Sequence, residues 1–427
     1  MKVLVVGSGA REHAMVWKLK RSPRVSDLFV APGNAGTAKI ATNLHADPLD
    51  FEGLAHAIRR HLIELVVVGP EAPLAAGIVD FFTARGVPVF GPSMSASAIE
   101  ASKAFAKDLM QIAGIPTAES RTFDSYAEAR KYVESLKEPP VVKADGLASG
   151  KGVTVAASKE EALQAVHEAM EAKVFGEAGK RVVVEERLEG KEASVFAFTD
   201  GKTVMTTVPA CDYKRVFDAD KGPNTGGMGS YSPPEFFNER LAEEARVHVL
   251  ERTVAAMAKQ GRPYKGVLYA GLMVNKNSIK VLEFNCRLGD PETQVILPRL
   301  ESDLLDIIEA VVEGRLEQVN ARWSAEPCVG VVLASGGYPG SYKKGIPIQG
   351  LADVDRDVMV FHAGTKLVGS ETVTDGGRVL TVVARGKSMA DAAAKAYDNA
   401  RRIHFEGAHY RKDIARRAIG QYSQGSH

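Results

Sequence analysis

The stretch Val141-Val-Lys-Ala-Asp-Gly-Leu-Ala-Ser-Gly-Lys-Gly-Val-Thr-Val155 decides how the chain is read. β-Branched runs at Val141-Val142 and Val153–Val155 flank a turn containing Gly146, Ser149, Gly150 and Gly152, the pattern of a hairpin with a glycine-rich tip. Lys143 stands at its entry and Lys151 in its tip. Glycine lets backbone N–H groups approach an anion, and the two ammonium groups add charge where phosphate oxygens would lie. A P-loop requires Gly-x-x-x-x-Gly-Lys-Ser/Thr between a strand and a helix. Here Gly146 and Gly150 enclose only three residues, Gly152 stands where a hydroxyl is required, and a strand follows. The stretch predicts a phosphate-covering loop of another kind.

Around it the chain reads as α/β. Residues 1–101 alternate short apolar strands (Val3–Val6, Leu28–Val30, Leu65–Val68, Val87–Phe90) with helices, which predicts a doubly wound parallel sheet. Ligands of such sheets bind beyond the carboxyl ends of the strands, and three ends carry the loops Gly7–Gly9, Pro32–Gly36 and Gly69–Pro73. An Ala-rich helix over 95–114 contains Lys103 and Lys107. A small α/β unit at 122–190 holds the hairpin between two helices. Longer strands and helices fill the rest of 102–322, and 323–427 reads as a third, strand-rich α+β domain. A length of 427 residues agrees with three domains of roughly 150 residues each.

Composition narrows the classes of function. With 45% hydrophobic and 25% charged residues, the chain has the make-up of an ordinary soluble globular protein. A net charge of +1, from 54 basic and 53 acidic residues, provides no global field for nucleic acid or anionic lipid. Cys211, Cys286 and Cys328 form neither a disulfide framework nor a zinc spacing, which predicts a reducing cytoplasm. No apolar run reaches membrane-spanning length.

Strand Val281-Leu-Glu-Phe-Asn285 carries the clearest chemistry. Alternation puts Glu283 and Asn285 on one face and Leu282 and Phe284 on the other, towards a core. A carboxylate beside an amide oxygen is a hard donor pair suited to Mg²⁺ shared with substrate phosphates. Arg287, two residues further on, reaches the same face and would stabilise charge on a transferred group. The plain alternative is a solvated strand end with an ion pair. Glu185-Glu186 closes another strand before Leu188; the backbone of such a segment can read an adenine edge, and Glu192 can accept from ribose hydroxyls. Cys211–Asp218 and Asn224–Tyr231 frame a loop dense in glycine, hydroxyl and charge, where Asp212 and Lys214 match the two ends of an amino acid. Cys211 reads as a buried thiol without a histidine partner.

Taken together, Lys103, the 143–153 loop, Glu185-Glu186-Arg-Leu188 and Leu282-Glu-Phe-Asn-Cys-Arg287 resemble the ATP-grasp ligases. Within them the chain resembles the phosphoribosylamine–glycine ligase family of purine biosynthesis. The stretches Gly7–His13, Ala31–Gly36, Val68–Leu74, Asn224–Gly229 and Arg287–Gln294 support this in collinear order. The resemblance implies an ATP-grasp core at 102–322, with 122–190 as a mobile lid. It implies a reaction in which ATP activates glycine as an acyl phosphate and 5-phosphoribosylamine displaces phosphate. Lys103, Lys143, Ser149, Gly150, Lys151 and Gly152 would then contact ATP phosphates, while Glu185, Glu186, Leu188 and Glu192 would hold adenine and ribose. Glu283 and Asn285 would bind Mg²⁺ or Mn²⁺, Arg287 would face the phosphoryl group, and Asp212, Lys214, Thr225, Gly226 and Gly227 would neighbour the acceptors. Gly9, Asn34 and Glu71 would hold phosphoribosylamine. Gly271-Leu-Met-Val274 lacks a carboxylate that some relatives place there, so a second metal's ligands stay open. The competing reading is a nicotinamide-dependent oxidoreductase on Gly7-x-Gly9, although Glu12 replaces its third glycine. Expected partners are small molecules, without nucleic acid or membrane, acting on a monomer or weak homo-oligomer.

Overall fold

The computed structural model describes residues 1–147, 152–276 and 278–422. Its first sheet is wholly parallel, in the order Thr42–Asn43, Asp27–Pro32, Lys2–Gly7, Leu65–Val68, Val89–Phe90. Leu4 and Val6 enter one core, Val3 and Val5 another, so both faces are covered. The order of the sheet reverses between Lys2–Gly7 and Leu65–Val68, where the doubly wound fold opens a crevice. Gly9 and Glu71 lie just beyond those two strands.

The central sheet is antiparallel, in the order Val204–Thr206, Lys191–Thr199, Gly266–Asn275, Ser278–Asn285. A smaller sheet (Ser120–Phe123, Val182–Glu185, Val141–Ala144, Val153–Val155) carries the helices Tyr126–Ser135 and Lys159–Met170. It has its own core around Val133, Val142, Val166 and Val184. The hairpin is present, with Val141 opposite Val155 and Lys143 opposite Val153. Its tip residues 148–151 lie outside the described residues.

Three expectations on elements are corrected. The 95–114 helix is two helices, Met94–Ala101 and Lys103–Ala113. Ser102 breaks it by accepting from the Phe105 N–H at 3.1 Å as an N-cap. The Ser102 hydroxyl also donates to Asp145 of the hairpin, which accepts from the Ala104 N–H as well. The glycine loop is thereby tied to the start of the Lys103 helix. Second, Leu282 does not face a core. Gly271 pairs with Glu283 but Leu272 pairs with Val281, so Leu282 is the extra residue of a β-bulge. It lies half-buried in the cavity wall, while Val281 and Phe284 point inward. Third, the last large sheet is not confined to the chain's end. It runs Cys211–Asp212, Gly229–Ser232, Cys328–Ala334, Arg378–Arg385, Met359–His362, taking two strands from the 211–232 region. Among the described residues no helix is long and apolar enough to cross a membrane.

Candidate active site

Two adjoining cavities, of about 480 and 430 Å³, meet at Lys143, Asp212, Lys214, Leu282 and Glu283. The first runs between the small sheet and the central sheet, along Glu185–Leu188 and Glu192. The second opens towards the first domain and takes in Glu71, Lys103, Gly152, Thr225, Gly226, Asn285 and Arg287.

Glu283 and Asn285 project from the last strand of the central sheet into the junction. Among the described residues neither side chain has a hydrogen bond or ion pair. Burial pushes the Glu283 carboxyl up, but Lys214, Lys143, Lys103 and Arg287 outweigh it and hold the group below its usual range. An ionised carboxylate beside a free amide, with the protein's own cations at longer range, fits a divalent metal. Lys214 lies 2.6 Å from Glu192, and burial, which lowers its pKa, is overcome by Glu192, Asp212 and Glu283. The Asp212 carboxyl is pushed up to about 7 by burial and by Glu292, Glu192 and Glu283, against Lys214. No second carboxylate stands at Gly271, but Glu292, buried and accepting from the Ser194 hydroxyl at 2.8 Å, faces the same region, its carboxyl pushed up by burial. Only its neighbourhood in space, not its place in the sequence, marks it.

The lysines are anchored. Glu185 lies between Lys143 (2.5 Å) and Lys107 (2.6 Å), all three nearly fully buried. Lys143 also donates to the Leu282 carbonyl of the bulge at 2.9 Å. Lys103 donates to the Gly146 carbonyl at 2.8 Å, and burial lowers its pKa. Glu186 instead points outward to Lys280 at 2.6 Å. Arg287 is clamped by Glu71 (3.1 Å) and Glu100 (3.0 Å). Burial opposes ionisation of Glu71, but Arg287 and Arg11 hold it down at about 2.

The loop 224–229 is fastened by a residue that sequence reading did not single out. Arg378, from the last sheet, donates to Asp290 Oδ2 at 2.7 Å and to the carbonyls of Asp290 and Gly226. Gly227 has φ +111°, and a Cβ there would collide with Pro291, so the loop closes only with glycine.

Three expected residues line neither cavity: Gly227, next to Gly226, and Asn34 and Gly9. Asn34 is buried, and its side chain is engaged by Ser8, Gly36, Thr37 and His362. Gly9 caps the helix Ala10–Leu19, its N–H donating to Glu12 Oε2 at 2.6 Å. This removes the dinucleotide reading. The Glu12 carboxylate, 2% exposed and paired with Arg11, occupies the helix N-terminus where a pyrophosphate would need to lie. Ser149, Gly150 and Lys151 lie outside the described residues. Cys211 is half-buried rather than buried, and burial raises its pKa, so it stays a thiol.

A parallel first domain, an antiparallel core under a small α/β unit, and a lysine-lined cavity ending on a carboxylate–amide pair define an ATP-grasp enzyme. The chain belongs to the phosphoribosylglycinamide synthetase family, whose N domain matches residues 1–100, ATP-grasp (A) domain 101–293 and C domain 328–417. It is 48% identical over 426 residues to the phosphoribosylamine–glycine ligase of Rhodopirellula baltica, covering 98% of each chain. The crystal structure of the phosphoribosylamine–glycine ligase of Thermotoga maritima superposes with a TM-score of 0.85 at 33% identity, over 97% of this chain and all of that one. The biotin carboxylase domain of 2-oxoglutarate carboxylase from Hydrogenobacter thermophilus shares the fold at 15% identity (TM-score 0.73, 96% of this chain, 91% of that one).

Proposed function

We propose that this chain joins glycine to 5-phosphoribosylamine at the expense of ATP, releasing glycinamide ribonucleotide, ADP and phosphate. The observation that carries the reading is the pair Glu283 and Asn285, unengaged among the described residues and facing Lys103, Lys143, Lys214 and Arg287 where the two cavities meet. In this reading adenine and ribose lie along Glu185–Leu188 and Glu192, with the phosphates directed to Lys143 and Lys103. Glu283 and Asn285 hold Mg²⁺ or Mn²⁺, which when bound neutralises charge on the phosphoryl oxygens.

Asp212 and Lys214 hold the ammonium and carboxylate of glycine. A glycine carboxylate oxygen forms a bond to the terminal phosphorus as the bond to ADP breaks, giving glycyl phosphate, with Arg287 beside the charge that develops. The amine of phosphoribosylamine then attacks the carbonyl carbon. It loses a proton, and the C–O bond to phosphate breaks. Glu71, Thr225 and Gly226 form the wall for this second substrate, with Gly227 and Gly9 behind it, against Pro291 and Asp290. Asn34 acts on that wall indirectly, through the Ser8 carbonyl that it binds. Because glycyl phosphate hydrolyses in water, the 122–190 unit serves as a lid over an ATP-grasp domain at 102–322, between domains at 1–101 and 323–427. Three free cysteines agree with a cytoplasmic setting.

The test is product analysis with ATP, Mg²⁺, glycine and phosphoribosylamine. ADP release is expected only with both acceptors present. Release that ignores either one overturns the assignment.

A further inference from the structure

A third cleft, of about 550 Å³, lies away from the catalytic cavities and shares no lining residue with them. It opens between the far half of helix Ala10–Leu19, the 298–301 segment and the strand Met359–His362 with its neighbour Arg385. Four cations face it: Lys18, Arg21, Arg356 and Arg385. Two carboxylates oppose them, Glu301 and Asp357, and Asp357 is already paired with Lys395. Arg385 has only a loose partner, Glu326 at 3.6 Å, and Arg356 has no ion pair or hydrogen bond among the described residues.

Lys18 is the informative member. It is 8% exposed, and its ammonium donates to the Leu300 carbonyl with no carboxylate in ion-pair range among the described residues. A buried cation without a counter-charge is costly, and a bound anion removes that cost. Burial and Arg21 lower the Lys18 pKa against the more distant Asp303 and Glu301, and burial and Arg385 lower that of Arg21, so the cations repel one another across the cleft. The cleft also has an ordered apolar side. The Arg21 guanidinium stacks 3.6 Å from the Trp17 ring centroid, and Phe361 meets Trp17 edge-on at 5.7 Å. A planar guanidinium fixed on an aromatic face is preset for phosphate oxygens.

We propose that this cleft binds a phosphate monoester of nucleotide size, its phosphate on Lys18, Arg21, Arg356 and Arg385 and its organic part against the partly exposed Trp17 and Met359. The volume lies within the range of small-molecule sites, roughly 300–1,000 Å³. The chain has two tryptophans, so Trp323→Phe leaves Trp17 as the sole reporter. The experiment titrates GMP or inorganic phosphate into that variant with its nucleotide cavity saturated by Mg²⁺ and a non-hydrolysable ATP analogue. GMP is expected to change Trp17 fluorescence saturably and to bind at least about tenfold more tightly than inorganic phosphate. Adding Arg356→Glu and Arg385→Glu, both at exposed positions outside the catalytic cavities, weakens GMP binding by about tenfold or more and leaves ADP formation unchanged. Arg356→Gln alone gives part of that loss. An absent signal, equal affinity for inorganic phosphate, or undiminished GMP binding in the doubly reversed variant overturns the proposal.

Discussion

Glu185 shows how one side chain couples folding to the site. Its carboxylate is shared by Lys107 and Lys143, all but excluded from water. Glu185→Gln leaves two buried ammonium groups without a counter-charge and is expected to destabilise the chain by about 3 kcal/mol in urea unfolding. A change near zero would mean that water or rearrangement solvates the lysines. Glu283→Ala removes the carboxylate at the junction. It is expected to lower ADP formation by more than about 100-fold and to abolish Mn²⁺ binding seen by electron paramagnetic resonance. Near-normal turnover would take Glu283 out of the metal site. Asp212 titrates near neutrality because burial and nearby carboxylates favour its protonated form. The group is ionised above about 7, so KM for glycine is expected to fall as pH rises through that value. Asp212→Asn should flatten the profile and hold KM near its low-pH value throughout. The Glu283–Asn285 pair was legible because alternation within one strand puts both residues on one face. The contacts of Asn34 were not legible, because a conspicuous loop asparagine looks alike whether it faces a ligand or ties the loop to Ser8 and His362.

At the scale of elements, the hairpin, the parallel sheet and the small α/β unit follow from local patterning, since each is decided within a few dozen residues. The bulge at Leu282 is not, because it depends on register against Gly266–Asn275. The same holds for the break at Ser102, which a continuous alanine-rich period conceals until Asp145 of another element is seen capping the second helix. Arg378 is a long-range case, 88 residues from the Asp290 that it binds. It joins the last sheet to two loops of the second cavity. Arg378→Ala is expected to raise KM for phosphoribosylamine by about tenfold, or about 1.4 kcal/mol, with a smaller change for ATP. An equal rise for both substrates would indicate general loosening of the fold.

Across the whole molecule, the first and last regions are joined through two histidines. His13 Nδ1 accepts from the His362 backbone N–H at 2.8 Å, and the rings lie 5.6 Å apart. Burial, with Lys39 nearby, lowers both rings to about 3, so both are neutral in the folded chain. The stability they confer is therefore complete above about pH 6.5 and declines as pH falls towards 3, by about 1.4 kcal/mol per pH unit for each ring. His13→Asn should reduce the loss of stability between pH 7.5 and 5.5 in urea unfolding; an unchanged slope would locate the acid sensitivity elsewhere. This joint places the last sheet, and so Arg378, against the catalytic cavity.

In the proposed reaction these regions together enclose a glycyl phosphate, which oxygen labelling detects. Its most direct test is the fate of oxygen when glycine labelled with ¹⁸O in both carboxylate positions is turned over with ATP and phosphoribosylamine. Transfer through an acyl phosphate leaves one label in the amide carbonyl and delivers the other to inorganic phosphate at each turnover. Unlabelled phosphate from a reaction that still forms the amide would rule out the acyl phosphate.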